Sequence, residues 1–321
     1  MSVLSKPYFH DEAAAFEHLE KTLWGAEASC PHCGTIGRSK KLQGTATRLG
    51  VWKCNECRKQ FTVKVGTVFK HGRIPLHKML QAVHLMASSK KGISAHQLHR
   101  TLEVTYKTAW FLAHRIREAM RDGKLGPMGG EGMVVEADET YFGKKAEQPT
   151  HRVDGLPYKG SRDGRPVFGP AGKRAIVALV ERGGSVRSFH VDRANKATVA
   201  DIVATNINRE TVLYTDESPL YPEVAKQFAA HDTVRHSADE YVRGEVYTNT
   251  VEGVFSIFKR GMKGVYQHCS EKHLHRYLAE FDFRYNSRVA LGTDDPERAA
   301  LATKGIVGKR LTYRRTNGTA A

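Results

Sequence analysis

Arg174-Ala-Ile-Val-Ala-Leu-Val-Glu-Arg-Gly-Gly-Ser-Val-Arg-Ser-Phe-His-Val191 is the stretch whose reading decides the fold. Arg174 to Val180 reads as a buried strand, Glu181 to Ser185 as a hairpin turn built on Gly183-Gly184, and Val186 to Val191 as the returning strand. Upstream, Gly132-Met-Val-Val-Glu-Ala-Asp-Glu-Thr-Tyr-Phe-Gly143 begins as another short buried strand and places Asp138 at its end. Downstream, Lys196 to Asn206 fits a helix with Val199, Ile202 and Val203 inward. Val212-Leu213-Tyr214 is a further strand, with Asp216 just beyond it.

The order is therefore strand, long loop, strand, hairpin, strand, helix, strand. An antiparallel opening followed by α/β alternation is the pattern of an RNase H-like mixed sheet flanked by helices. This catalytic-type domain is expected over residues 131–290. The long loop, 144–173, is rich in Gly and Pro and carries more base than acid. Loops of that length within a domain are usually functional or disordered, and contact with a phosphate backbone is one reading of it.

The chain has 321 residues, 40% of them hydrophobic, enough for two or three folded units. Fifty Lys and Arg stand against 34 Asp and Glu, a net charge of +16. Such an excess points to a polyanionic partner. No apolar run reaches the roughly 20 residues that span a bilayer, and the N-terminus lacks the apolar core of a secretory signal. A cytoplasmic protein with no membrane partner is expected.

Four of the five cysteines form two close pairs, Cys30-Pro-His-Cys33 and Cys54-Asn-Glu-Cys57. Two such knuckles about twenty residues apart match a tetrahedral four-thiolate zinc site, with no position left open for substrate. A redox pair is the competing reading of one knuckle but not of two in register. One structural Zn2+ is expected, in a unit over 1–70 that also holds a short helix from Asp11 to about Trp24.

Residues 71–122 read as helices. Pro75 suits a helix start, Ser94 is a candidate cap for a second helix, and Thr105 for a third. That third helix carries Ala109, Leu112, Ala113, Ile116 and Met120 on one face and Lys107, His114, Arg115 and Arg117 on the other. A basic helix after a short turn resembles a helix-turn-helix, with Lys107, Arg115 and Arg117 as DNA contacts. A structural linker domain is the alternative. Residues 121–131 read as a Gly-rich linker, and 291–321 as a basic flexible tail.

Asn249-Thr-Val-Glu-Gly-Val-Phe-Ser-Ile-Phe-Lys-Arg260 wound as a helix puts Asn249, Glu252, Ser256 and Lys259 on one face, with an apolar stripe of Val251, Val254, Phe255 and Phe258 on another. Alone this is an ordinary amphipathic helix. With Asp138 and Asp216 it completes a set of three carboxylates, and oxygen ligands suit hard cations such as Mg2+ or Mn2+. Two such ions can serve phosphoryl transfer, and Lys259 and Arg260 can meet phosphate. Strand alternation sends Glu139 to the face opposite Asp138, and Glu136 lies back from the strand end. Both are set aside.

Together the two cysteine knuckles, Glu136-Ala-Asp138-Glu-Thr-Tyr141, Tyr214-Thr-Asp216-Glu-Ser218 and Asn249-Thr-Val-Glu252 leading to Lys259-Arg260-Gly261 resemble a known family. The chain looks like a bacterial insertion-sequence DDE transposase of the ISXO-like branch with an N-terminal zinc ribbon. Gly264-Val-Tyr266-Gln-His268 and the run from His273 to Asn286 are similar to that branch too. The resemblance implies an enzyme that nicks double-stranded DNA at transposon ends and joins the 3′-OH to target DNA. Asp138, Asp216 and Glu252 would hold the metal and Lys259 would follow them. Asn249 stays open beside Glu252, because some members of the branch use Asn in third position. Synapsis of two ends implies at least a dimer. An RNase H-like nuclease or resolvase without strand transfer, and a non-catalytic zinc-ribbon regulator, are the competing functions.

Overall fold

The computed structural model describes residues 2–121, 123, 125–145 and 170–312. The predicted insertion loop lies almost wholly outside the described residues, as do Arg314 and Arg315 of the predicted tail. The chain divides into two compact units, Met1–Asp122 with Ser287–Ala321, and Gly123–Asn286. Among the described residues no helix is long and apolar enough to cross a membrane.

The first unit begins with α1 (Glu12–Trp24), capped by Asp11, whose side chain accepts from the Ala14 amide at 2.7 Å. Three short antiparallel strands follow, β1 (Ser39–Lys41), β2 (Trp52–Cys54) and β3 (Gln60–Phe61). Cys30, Cys54 and Phe61 form their small core, covered by Trp24 and Trp52. So little apolar material cannot hold a fold alone, which is the physical reason for a metal staple here. Glu20 ties α1 to the strands, accepting from the Trp52 indole and the Lys41 ammonium, both at 2.9 Å.

Three helices complete this run: α2 (Leu76–Ser88), α3 (Ala95–Leu102) and α4 (Tyr106–Met120). Ser94 and Thr105 cap α3 and α4 as expected. Glu103, between them, takes the left-handed conformation at φ 51° that turns the chain. One part of the basic face fails. His114 is 1% and Arg117 2% exposed, so Arg117 cannot reach a DNA backbone. The helix is buried over a wider arc than its apolar stripe, and Arg117 falls within it. Arg115 is half-buried, with its guanidinium 4.6 Å from the Phe111 ring. Lys107 is exposed.

The second unit is built on a five-stranded sheet. Its strands are β4 (Val134–Lys144), β5 (Lys173–Glu181), β6 (Val186–Val191), β7 (Val212–Thr215) and β8 (Ala230–Thr233), with α5 (Lys196–Asn206) before β7 and the single turn α6 (Pro222–Ala225) after it. The order is β6-β5-β4-β7-β8. The first three strands are antiparallel neighbours, and β7 and β8 add in parallel. This is the RNase H-like mixed sheet. A small hairpin, β9 (Val242–Arg243) and β10 (Val246–Tyr247), leads into α7 (Asn249–Gly261), a π-helical turn over Met262–Tyr266, and α8 (Leu274–Asn286). Helices α5 and α6 cover one face of the sheet through Val199, Val203 and Val224. Helices α7 and α8 cover the other through Val251, Phe255, Phe258, Leu278 and Phe281.

The stretch before β4 is not a bare linker. Met128 bridges to Ile207, and Gly129 at φ +75° lies where an added Cβ would meet Thr211 at 2.2 Å.

β6 is an edge strand, and α8 satisfies its outer backbone. Asp282 accepts from the Ser188 amide at 2.8 Å and hydroxyl at 2.7 Å, and Asn286 bonds both the amide and carbonyl of Val186. Burial pushes the Asp282 carboxyl up to about 7, against the pull of its Ser188 bonds. A folded value above the unfolded one means that the protonated form is favoured by folding. The associated stability is therefore complete below about pH 4 and lost as pH rises through about 7, up to about 4 kcal/mol. Asp282→Asn, which keeps both Ser188 partners, should remove that slope. Denaturant midpoints of the two proteins from pH 4.5 to 7.5 measure it, and parallel curves would refute it.

The chain then returns to the first unit, and here the expected tail is wrong. Asp295–Lys304 is a helix, α9, with a full capping box between Asp294 and Glu297. It packs mainly on α2 and also on α1 and α4. Arg298 is 7% exposed and donates to the carbonyls of Ser287 and Ala87. Beyond it, the Val68 amide bonds the Ile306 carbonyl and the Gly308 amide that of Gly66. The segment is polar because its cations satisfy carbonyls, not because it is loose.

Candidate active site

Asp138 is not at the end of its own strand. β4 continues to Lys144 paired with β5, in register as far as Phe142, whereas its pairing with β7 runs only from Val134 to Ala137. Asp138 thus sits at the level where the neighbouring strand stops, and Asp216 is the first residue past that stop. The strand mismatch opens the sheet beside Asp138. In cross-strand register Glu136, Asp138 and Thr140 face the same way as Val180, Ala178 and Ile176, toward α7.

Glu252 lies in the first turn of α7. Its carboxylate is 3.5 Å from the His236 imidazole and accepts from the Thr248 hydroxyl at 3.4 Å. Asp138, Asp216, Glu252, His236, Ser256, Lys259, Arg260 and Lys263 all line one cleft of about 730 Å3. The cleft therefore has an acidic floor and a basic wall from the later turns of α7. Asn249 is exposed at the first position of that helix and is not among the residues lining the cleft.

Glu139 corrects the sequence reading. Its backbone does point to the α5 face, where its carboxylate accepts from the Ser218 hydroxyl at 3.0 Å and the Tyr221 hydroxyl at 2.8 Å. Yet no strand lies beyond the end of β7 to separate the two faces. Oxygens of Asp138, Glu139 and Asp216 all come within 4.8 Å of one another. Strand alternation separates two carboxylates only where the sheet continues beside them.

The crowding has an electrostatic signature. Burial, then Asp216, then Glu139 push the Asp138 carboxyl up to about 8, with Glu252 adding to it. Burial likewise raises Glu139 and Asp216. Burial pulls the Lys259 ammonium down, with the Asp138 charge working against that pull. Asp138, Glu139 and Asp216 gathered in this way, oxygen donors throughout, are a donor set that fits a hard divalent ion. His236 joins these acids on the cleft, 3.5 Å from Glu252. Its place on the cleft depends on the fold of the segment after β8, for which the local pattern carried no signal.

In the first unit, sulfurs of Cys30, Cys33, Cys54 and Cys57 lie within 4.8 Å of one another, with Cys30–Cys57 and Cys33–Cys54 each at 3.7 Å. His32 is exposed and turned to the Gln60 carbonyl.

Two family models match this chain, an ISXO2-like transposase domain over residues 129–286 and a transposase zinc-ribbon domain over residues 10–60. The chain belongs to the ISXO2-like transposases. The four-cysteine cluster is accordingly the structural Zn2+ site of a transposase zinc ribbon. A relative in Halobacterium salinarum, described as an uncharacterized protein in transposable element ISH50, is 29% identical over 289 residues, 86% of this chain and 91% of its own. Among solved structures, the Mos1 transposase paired-end complex with left transposon end is 13% identical at a TM-score of 0.21, covering 75% of this chain and 82% of that one. A pre-cleavage Mos1 transpososome is 12% identical at 0.21, covering 70% and 78%. At these scores neither bears on the fold of the ISXO2-like domain, which rests on its own sheet order.

Proposed function

We propose that this transposase cleaves DNA at the ends of its own element and joins the freed 3′-OH to target DNA. The observation that carries the reading is the convergence of Asp138, Asp216 and Glu252 with Lys259 on one open cleft. Asp138, Asp216 and Glu252 would hold the metal, Mg2+ or Mn2+. Two bound ions would activate the attacking oxygen and stabilise the leaving one. The proximity of Glu139 to Asp138 and Asp216 makes it a further candidate ligand.

The remaining roles belong to the chain itself. Lys259, Arg260 and Lys263 line the cleft where they can bind the phosphates on either side of the scissile bond. The basic net charge draws in duplex DNA. End recognition is assigned to the zinc ribbon and to α3 and α4 as a helix-turn-helix-like pair, with Lys107 and Arg115, but not the buried Arg117, as DNA contacts. Two ends require at least two copies of the chain, acting in the cytoplasm on nucleoid DNA.

The test is a strand-transfer assay on DNA carrying the element's own ends, with Mg2+ or Mn2+. Joined products are expected. Cut ends without joining would leave the nuclease reading, and binding without cutting the regulator reading. In the same assay Lys259→Ala should lower the rate by about 10- to 100-fold with end binding nearly unchanged. An unaltered rate would remove Lys259 from the site.

A further inference from the structure

We propose that Glu136 is a positioning residue that sets Glu252 against Asp138 by capping α7 from the sheet. The proposal deepens the active-site reading above and rests on it.

Glu136 is fully buried, at 0% exposure, two residues before Asp138 on the same face of β4. A lone buried carboxylate is costly, so its partners should explain its presence. Oε1 accepts from Arg182 Nε at 2.8 Å and from the Thr250 hydroxyl at 2.8 Å. Oε2 accepts from the Thr250 amide at 2.9 Å and the Val251 amide at 3.1 Å. Both amides belong to the first turn of α7, the donors that a helix leaves without intrahelical partners.

Helices usually find this cap in the residue just before them. In α7 that residue is Thr248, and it makes no cap bond. Its hydroxyl donates to Glu252 instead. The cap is supplied from β4, and its negative charge also suits the positive end of the helix. The two acids are thereby joined by a short rigid path. Asp138 is two residues from Glu136 along β4, and Glu252 is one residue from Val251 along α7.

Arg182 extends the same anchor. It donates to the carbonyls of Glu245 at 2.7 Å and Tyr247 at 2.9 Å, and its guanidinium lies 3.5 Å from the Tyr247 ring centroid. The hairpin that leads into α7 is fixed to the carboxylate that fixes the helix. With four donors satisfied and no exposure, Glu136 has nothing left to offer a metal or substrate. Its effect on chemistry must pass through α7. The chemistry needs a carboxylate here: in Glu136→Gln one end of the side chain becomes an NH2 facing N–H or O–H donors. Displacements of about 1 Å at a reacting centre can cost about 100-fold in rate.

The experiment measures two things on the full chain with zinc in place: amide exchange with no divalent ion added to the acidic cleft, and Mn2+ affinity of that cleft by titration. In Glu136→Gln the Thr250 and Val251 amides are expected to exchange at least about tenfold faster, with Mn2+ affinity down about tenfold. Thr250→Val, which deletes only the hydroxyl bond, should shift both in the same direction by less, and it serves if Glu136→Gln fails to fold. In a Glu252→Gln background the second substitution should cost no further affinity, because its effect runs through Glu252. Equal losses in both backgrounds would overturn the proposal, as would faster exchange with unchanged Mn2+ affinity. If the wild-type cleft binds no Mn2+, the active-site reading falls and the proposal with it. If the wild type binds and the variants bind equally well, the proposal alone falls.

Discussion

Asp138→Asn is expected to lose end cleavage and joining by at least about 1000-fold and, at the same time, to melt several degrees above the wild type when no divalent ion is present. The two effects share one cause. Asp138 is a desolvated carboxylate held among other carboxylates, with its carboxyl pushed up to about 8 by burial, Asp216 and Glu139. That arrangement destabilises the metal-free fold and leaves oxygen ligands in place for an ion. Asn keeps the size and removes the charge, so the repulsion disappears along with the ligand. A gain of about 2 kcal/mol would raise the melting temperature by roughly 4–8 °C in a unit of this size. The same substitution should leave end binding within about twofold, since recognition is assigned to the other unit. The measurements are a strand-transfer assay, a melting curve in chelator-treated buffer with zinc restored, and a DNA-binding isotherm. Retained joining would remove Asp138 from the active site. Lost joining with a lowered melting temperature would mean that the acid supports the fold instead.

The second large effect concerns the ribbon. Cys54→Ser should abolish zinc binding, unfold residues around β1 to β3, and weaken binding to end DNA by at least about 100-fold. Cys54 is fully buried, and its sulfur lies 3.7 Å from that of Cys33. Metal binding contributes about 10–16 kcal/mol to small zinc-folded domains, far more than a core of Phe61, Trp24 and Trp52 can replace. Those two tryptophans pack edge to face at 5.7 Å, so their fluorescence reports the loss. The unit Gly123–Asn286 has its own sheet and cores and should keep its separate melting transition. Zinc content by elemental analysis decides the matter: one full equivalent in Cys54→Ser would refute the assignment. Undiminished binding to end DNA in a zinc-free variant would detach the ribbon from recognition.

The parts of this molecule that sequence made legible are those with local, periodic or paired signals. The apolar run Ala175–Val180 with its Gly-Gly turn became β5 and β6, the paired knuckles became one sulfur cluster, and the face shared by Glu252, Ser256 and Lys259 now lines one cleft. What escaped was set by neighbours. Asp138 read as a strand end because the apolar pattern stops there, while β4 runs on under polar residues that pair with β5. Alternation sends Glu139 away from Asp138, a rule that assumes a strand on each side, and β7 stops at Thr215. Arg117 read as a DNA contact because charge stood for exposure. The C-terminal helix carried a legible signal, Asp294 and Glu297 around Pro296, which the surrounding basic residues outweighed. His236 and Glu136 had no local signal, since their roles come from partners far along the chain.

The cap on α7 has a consequence for how this fold can diversify. The interval between Asp216 and Glu252 is held at its start by the pairing of β7 with β8 and at its end by a carboxylate on a different strand. Arg182 joins the hairpin to the second clamp through the carbonyls of Glu245 and Tyr247. Between those clamps only the exposed positions, away from the core residues Tyr221, Val224 and Ala225 and from His236 on the cleft, are expected to vary, and with them the shape of DNA the cleft admits.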